Sequence, residues 1–135
     1  MNHHHVVSRI AIYLLSLVML VFGIYHFMQP RNLVGYVPAF LPGGILWVYI
    51  VGAAFILVAL AFITNKMVKI AGYLLAFLLI MFVITIHLPN YLNAGDKEMQ
   101  QIAFVSLLKD TALAGFALHI AASAYNQKLH LENSD

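Results

Sequence analysis

Four long apolar segments, separated by short polar or turn-rich links, constrain this chain more than any other feature of its sequence. A helix needs about 20 apolar residues to cross the hydrocarbon core of a bilayer, and each segment is close to that length. The segments predict helices over about residues 8–28, 45–63, 68–88 and 98–126. We therefore predict an all-α fold, an integral membrane four-helix bundle with antiparallel up-down topology, formed by a single transmembrane domain over residues 1–135.

The composition supports lipid as the main environment of the chain. Charged residues make up 9% of its 135 residues, against about 25% in a typical soluble domain. The sequence contains no cysteine, which excludes disulfides, thiol redox chemistry and thiolate metal sites. The formal net charge of +2, without a basic run, argues against a nucleic-acid partner. The lipid bilayer is therefore the first expected partner.

Two outer loops join the predicted helices, over residues 29–44 and 89–97. The first loop holds three prolines and three glycines, so we predict that it is too broken for regular helix. Because it is also apolar, it is expected to lie on the membrane surface or to fold back over the bundle. In the second loop, Asp96 is the expected N-cap of the last helix.

Lysine and arginine residues near the helix ends predict the orientation, because cytoplasmic loops carry an excess of both. On the side of the two termini these residues are Arg9, Lys66, Lys69 and Lys128, and on the other side they are Arg31 and Lys97. We therefore expect a multi-pass protein of the cell inner (cytoplasmic) membrane, with both termini in the cytoplasm.

A small set of polar residues falls in the outer half of the predicted bundle. The set is His26, His87, Lys109 and Asp110. A charged side chain at the centre of a membrane helix costs about 2.5–3.5 kcal/mol, so such residues need partners or water. A facing imidazole would suit Asp110, and a histidine can hold a proton near neutral pH. We predict that the four residues form a ligand-binding site.

Helix periodicity supports an inward position for Asp110. Asp110 heads a stripe of small residues, and small residues mark close helix packing in membranes. That stripe continues through Ala114, Ala117, Ala121 and Ala124, and a stripe on the third helix comprises Gly72, Ala76, Ile80, Val83 and His87. Lys109 lies about 100° around the helix from Asp110, so the two do not face each other.

Structural roles remain open for the same residues. Lys109 could extend to the headgroups, Asp110 could be a hydrogen-bonded lock between helices, and either histidine could be wetted at the membrane interface. No residues follow an established metal-ligand spacing such as HExxH, so we assign no metal site. The sequence names no catalytic residue.

Five short motifs together resemble the DoxX-like family of small four-helix bacterial membrane proteins, over roughly Arg9 to Ala124. The motifs are GIYHF (23–27), VPAFLP (37–42), VGAAFILVAL (51–60), IHLPN (86–90) and LLKDTALAG (107–115). The resemblance implies a membrane partner of a redox system, since one relative forms part of a thiosulfate:quinone oxidoreductase. Other relatives look like assembly or trafficking factors. It also carries over His26, His87, Lys109 and Asp110, which fall in matching motifs. The chain departs from the family at Phe55, where many relatives have an acidic residue.

Three functions follow as hypotheses, and the sequence leaves open whether the chain is an enzyme. The first is an accessory subunit of a membrane redox system, with a polar pocket for a quinone or another small molecule in the outer half of the bundle. It would have no intrinsic cofactor, a quinone as candidate ligand, and a membrane or exported redox protein as partner. The second is a non-enzymatic assembly or scaffold protein, and the third is a carrier of protons or a small solute. The glycine and alanine stripes are also compatible with a homo-oligomer.

Overall fold

The computed structural model describes the backbone of residues 3–134 and the side chains of residues 6–124. Its elements are α1 (His3–Met28), α2 (Pro30–Val34), α3 (Ile45–Thr64), α4 (Val68–Phe82), a π-helical turn (Val83–His87), α5 (Leu88–Asn93) and α6 (Lys97–Ser134). No strand occurs in this described part of the chain. The prediction of an all-α fold is confirmed.

Four helical stretches are long and apolar enough to cross a membrane: Val6–Met28, Ile45–Thr64, Val68–Asn93 and Lys97–Ala124. Large apolar side chains remain exposed along all four, as expected for helices whose outer faces meet lipid. These features describe a multi-pass membrane protein in contact with the bilayer. The antiparallel up-down arrangement and the orientation of the termini stay predictions, and the side chain of Lys128 lies outside the described residues.

Both predicted outer loops contain helix, which corrects the expectation of irregular structure at those places. Pro30 begins α2, and Pro89 lies in the first turn of α5. A proline is compatible with the first turn of a helix, because the N–H groups there have no partner within the helix. The third span therefore runs on to Asn93 instead of ending near residue 88.

The chain divides into two compact units, residues 1–71 and 72–135. In the first unit, α1 and α3 approach each other at two glycines. A Cβ atom on Gly23 would lie 2.8 Å from the carbonyl oxygen of Gly52, and one on Gly52 would lie 2.6 Å from Cβ of His26. The absence of side chains at these positions lets the two backbones pack closely. Met19, Phe55 and Val58 are buried in this unit.

In the second unit, α4 packs on α6 by a similar contact. A Cβ atom on Gly72 would lie 2.9 Å from both the carbonyl oxygen of Ala117 and Cβ of Ala121. Ala114, Ala117 and Ala121 are all buried, which confirms the small-residue stripe on this helix. At its start, the backbone N–H of Met99 donates a 2.7 Å hydrogen bond to Oδ1 of Asp96, which is the predicted N-cap.

Candidate functional site

His87 and Asp110 form a direct side-chain pair in the second unit. Nε2 of His87 lies 2.8 Å from Oδ2 of Asp110, although the residues are 23 positions apart in the chain. Their side chains are 17% and 18% exposed, so each is largely enclosed but still accessible. The structure thus brings together two of the four residues that the sequence singled out. We refer to His87 and Asp110 as the dyad.

A π-helical turn carries His87. Within it, the backbone N–H of Leu88 donates to the carbonyl of Val83, five residues earlier, instead of four as in an α-helix. The hydroxyl of Thr85 donates a 2.6 Å hydrogen bond to the carbonyl of Met81. Pro89 follows directly, and proline has no N–H to continue the α-helical pattern. These residues widen the helix by one residue at this turn.

The extra residue determines where His87 points. Leu79 is 3% exposed and lies on the inner face of α4. In an unbroken α-helix, His87 would lie about 80° around the axis from Leu79, because each residue advances by about 100°. One extra residue in the turn moves the following residues back by about 100°, which returns His87 close to the inner face. The π-helical turn therefore accounts for the contact between His87 and Asp110.

The sequence reasoning missed this turn and misplaced one residue of the stripe on the third helix. The predicted stripe included Ile80, but this residue is 42% exposed, and Leu79 takes the inner position. Steps of four residues drift by about 40° per step around an α-helix, so a stripe built on such steps leaves the inner face. The available signal for the turn was Thr85 with Pro89 four residues later.

The contact with Asp110 indicates which ring nitrogen of a neutral His87 carries the hydrogen. Because a carboxylate oxygen accepts hydrogen bonds, the hydrogen of a neutral His87 ring is assigned to Nε2, which donates to Asp110. Nδ1 then carries a lone pair, and among the described residues no group bonds to it. The dyad can accept one more hydrogen bond through Nδ1.

His26 has different surroundings, in the first unit. The residue is 6% exposed, and its Nδ1–H donates a 2.7 Å hydrogen bond to the carbonyl of Phe22 in the same helix. The ring also meets the edge of Phe55, at a centroid distance of 5.5 Å. Phe55 is the residue at which the chain departs from the DoxX-like pattern, and here it fills the space beside the imidazole. His26 therefore acts in this unit as part of the helix packing.

Lys109 lies next to Asp110 in α6, and its side chain is exposed. Among the described side chains it makes no hydrogen bond or ion pair, in agreement with the expectation that it does not face Asp110. It stays a prediction that one ligand site is shared by His26, His87, Lys109 and Asp110.

Two further features concern ligands. An open groove of about 310 Å³ is lined by Tyr91, Lys97, Gln100, Gln101 and Phe104, where α5 meets the start of α6. The sequence analysis did not identify this groove. Within residues 6–124, no group of three histidine, aspartate or glutamate side chains is placed to hold a metal ion.

Comparison with known proteins identifies one family. Residues 15–121 match the family described as "Domain of unknown function (DUF8561)". No curated protein matches the chain, and no solved structure does. Nothing in these comparisons links the chain to the DoxX-like family, so that resemblance stays a prediction. The match covers well over half of the sequence, and the chain therefore belongs to the DUF8561 family.

Proposed function

We propose that this protein is an accessory subunit of a membrane redox system and that its dyad binds the headgroup of a lipophilic, quinone-class molecule. The observation that carries the proposal is the 2.8 Å contact between Nε2 of His87 and Oδ2 of Asp110 in two apolar spans. The redox context comes from the resemblance to the DoxX-like family.

The energetic cost of the dyad supports a functional role. An aspartate within a membrane span costs about 2.5–3.5 kcal/mol, and intramembrane ionisable residues commonly mark ligand or proton pathways. A purely structural lock between helices would be expected to be fully enclosed. The dyad instead keeps 17% and 18% of its side-chain surface accessible, whereas His26 is a buried residue.

The dyad is chemically suited to a ligand headgroup that gains or releases a proton. A neutral His87 ring accepts a hydrogen bond at Nδ1, and a protonated ring donates one there. In both states an Nε2–H can donate to Asp110, which lies 2.8 Å away. The dyad can therefore bind a hydroxyl group, and it can hold the proton that such a group releases. We place electron transfer on a partner redox protein with which this subunit assembles.

The proposal includes a location for the site. With both termini in the cytoplasm of a bacterial cell, the end of α5 and the start of α6 lie at the outer surface of the inner membrane. The dyad then lies in the outer half of the bilayer. A ligand with an isoprenoid tail would reach it from the lipid phase, and a redox partner would dock from the outer side.

Mass spectrometry of small molecules extracted from purified protein tests the proposal. The wild-type protein, prepared in mild detergent, is compared with the double variant His87→Ala/Asp110→Ala. Thr111→Val is the matched control, because Thr111 follows Asp110 and its hydroxyl bonds only to the carbonyl of Leu107 in its own helix. We expect a quinone-class molecule in the wild type and the control, and its loss in the double variant.

Folding of the double variant is checked by its elution as a single species and by its helical circular dichroism. If wild-type protein from native membranes carries no such molecule, and none binds when added, the proposal is wrong. The assembly or scaffold hypothesis then replaces it. In that case the dyad only links α6 to the π-helical turn that carries His87.

A further inference from the structure

We infer that the groove between α5 and α6 binds a membrane phospholipid, with the headgroup phosphate at Lys97 and an acyl chain along Phe104. The groove has a volume of about 310 Å³, at the lower end of the range for ligand sites. It shares no residue with the dyad, so the inference goes beyond the proposed function and is tested separately. The residues that line the groove are Tyr91, Lys97, Gln100, Gln101 and Phe104.

The groove lies where two candidate membrane spans end. Tyr91 is near the end of the span Val68–Asn93, and Lys97 begins the span Lys97–Ala124. Residues 94–96 alone separate these spans, so the groove lies close to the boundary between the hydrocarbon core and the headgroups. This holds on whichever side of the membrane the link lies. A phospholipid places its phosphate at the same boundary, where tyrosines are also enriched.

The lining of the groove changes from polar to apolar along α6. Its residues on this helix follow three- and four-residue spacing, which places them on one face. In chain order they are Lys97, Gln100, Gln101 and Phe104. The first and the last are about 10 Å apart along the axis, at 1.5 Å per residue. The polarity thus falls from the helix end into the span, as it does in a lipid from the headgroup to the acyl chain.

Lys97 supplies the positive charge for a phosphate. It is the one charged residue in the lining, and its ammonium makes no hydrogen bond or ion pair among the described residues. Its two acidic neighbours in the chain do not line the groove. Asp96 accepts the N–H of Met99 as the cap of α6, and Glu98 lies about 100° around the helix. The free ammonium therefore attracts the phosphate of a lipid.

Two contacts hold the walls of the groove together. Nε2 of Gln100 donates a 3.4 Å hydrogen bond to the carbonyl of Tyr91, one of the last carbonyls of α5. The rings of Tyr91 and Phe104 lie 5.6 Å apart between their centroids. Gln100 keeps a second amide hydrogen for a phosphate oxygen, since its NH2 group carries two. Because the walls are already in contact, binding has a lower ordering cost.

Phe104 leaves apolar surface for an acyl chain. The residue is 44% exposed, although its ring packs on Tyr91. An acyl chain would cover this ring by van der Waals packing, which contributes to association within membranes. A soluble phosphodiester would contact the polar end of the groove alone. The ring therefore favours a lipid over a soluble phosphate as the occupant.

Native mass spectrometry of the full-length protein in nonionic detergent tests the inference. Three probes are titrated: dioleoyl phosphatidylglycerol, dioleoylglycerol with the same chains and no phosphate, and glycerophosphoglycerol, which is the headgroup without chains. We expect phosphatidylglycerol to bind about fivefold more tightly than dioleoylglycerol. Fivefold corresponds to about 1 kcal/mol, the contribution of one basic residue near an anionic membrane surface. Glycerophosphoglycerol should not bind at the same concentrations.

Substitutions at Lys97 test the role of its charge. In Lys97→Gln, the affinity for phosphatidylglycerol should fall about fivefold, and Lys97→Arg should retain it. Lys66→Gln is the matched control and should bind like the wild type. Lys66 is also an exposed lysine beside the end of a span, but it lies outside the groove. Elution as a single species checks the folding of each variant.

Every outcome bears on the groove. A fivefold loss confined to Lys97→Gln, with Lys97→Arg unchanged, supports the inference. No loss in Lys97→Gln, or an equal loss in Lys66→Gln, overturns it, because any lysine at the membrane surface would then act alike. Equal binding of dioleoylglycerol overturns the role of the phosphate. Binding of glycerophosphoglycerol as tight as that of the lipid overturns the role of the acyl chain. All of these outcomes leave the proposed function in place, since none involves the dyad.

Discussion

Two histidines, each near the end of a membrane span, have different surroundings in this protein. His26 is enclosed by α1 and α3, bonded through Nδ1 to the carbonyl of Phe22 and packed against Phe55. His87 is bonded through Nε2 to Asp110 and keeps a free Nδ1 and an accessible edge. The sequence analysis grouped both residues in one ligand site.

The backbone around each histidine explains the difference. At His26, the missing side chain of Gly52 brings α3 so close that a Cβ atom there would lie 2.6 Å from Cβ of His26. At His87, the π-helical turn changes the direction of the side chain and brings it to a carboxylate on another helix. A buried polar residue in a membrane is therefore not a ligand site in itself. The local backbone geometry decides which of its polar atoms remain free to bind a ligand.

The largest expected effect comes from adding a side chain at Gly52, where α3 packs closely against α1 beside His26. In Gly52→Val, the new side chain would collide with Cβ of His26 and with the backbone oxygen of Gly23, at 2.6 and 3.1 Å for Cβ alone. Since a backbone oxygen cannot move aside cheaply, we expect a loss of more than about 3 kcal/mol of stability. The fraction of protein eluting as a single species, and its thermal midpoint, measure this loss.

Gly35→Val is the matched control, because an added Cβ at Gly35 meets nothing within 4 Å and the residue has an ordinary helical φ of −64°. It should elute like the wild type. Equal tolerance of Gly52→Val would contradict the close approach of α1 and α3.

The second effect tests whether His26 packs or binds. His26→Ala removes a buried ring between Phe22 and Phe55 and should cost about 2–4 kcal/mol of stability, as other cavity-forming changes do. Binding of the quinone-class molecule by the remaining folded protein should be unchanged. His87→Ala should do the reverse, with a small loss of stability and a loss of binding. If His26→Ala abolishes binding in protein that still folds, His26 takes part in binding and the contrast between the histidines is wrong.

The third effect is the coupling within the dyad. A double-mutant cycle of His87→Ala and Asp110→Ala should give a coupling free energy of about 1 kcal/mol, near the upper part of the range measured for membrane hydrogen bonds. Unfolding equilibria in detergent micelles provide the four free energies. The cycle of Lys109→Ala with His87→Ala is the control and should give no coupling, since Lys109 is exposed. Equal values in both cycles would refute a specific dyad.

The smallest expected effect concerns the π-helical turn. Deleting Ile84 removes one residue, so the turn can become α-helical while the segments on both sides keep their faces. We expect the His87–Asp110 coupling to change by less than about 0.5 kcal/mol. Inserting one alanine after Ile84 instead turns His87 about 100° further and should abolish the coupling. Loss of coupling in the deletion but not in the insertion would show that the turn does not position His87.

Local sequence signals predicted much of this fold. Apolar length predicted the four spans, Asp96 was identified as the cap of α6, and the spacing of Ala114, Ala117 and Ala121 predicted a buried stripe. Each of these features depends on residues within a few turns of one helix. The same signals failed for α2 and α5, because proline and glycine were taken as barriers to helix, although proline is tolerated in a first turn.

The sequence by itself determined that the chain would form apolar, membrane-spanning helices and that a few polar residues would lie inside them, because hydrophobic length and composition require no knowledge of neighbours. Only the tertiary structure decided that Asp110 pairs with His87 while His26 packs against Phe55. The pair joins residues 23 positions apart, and its contact depends on one extra residue in a helical turn. A pattern read at constant helical spacing cannot show that rotation, because the hydrogen bonds of the π-helical turn change the spacing itself.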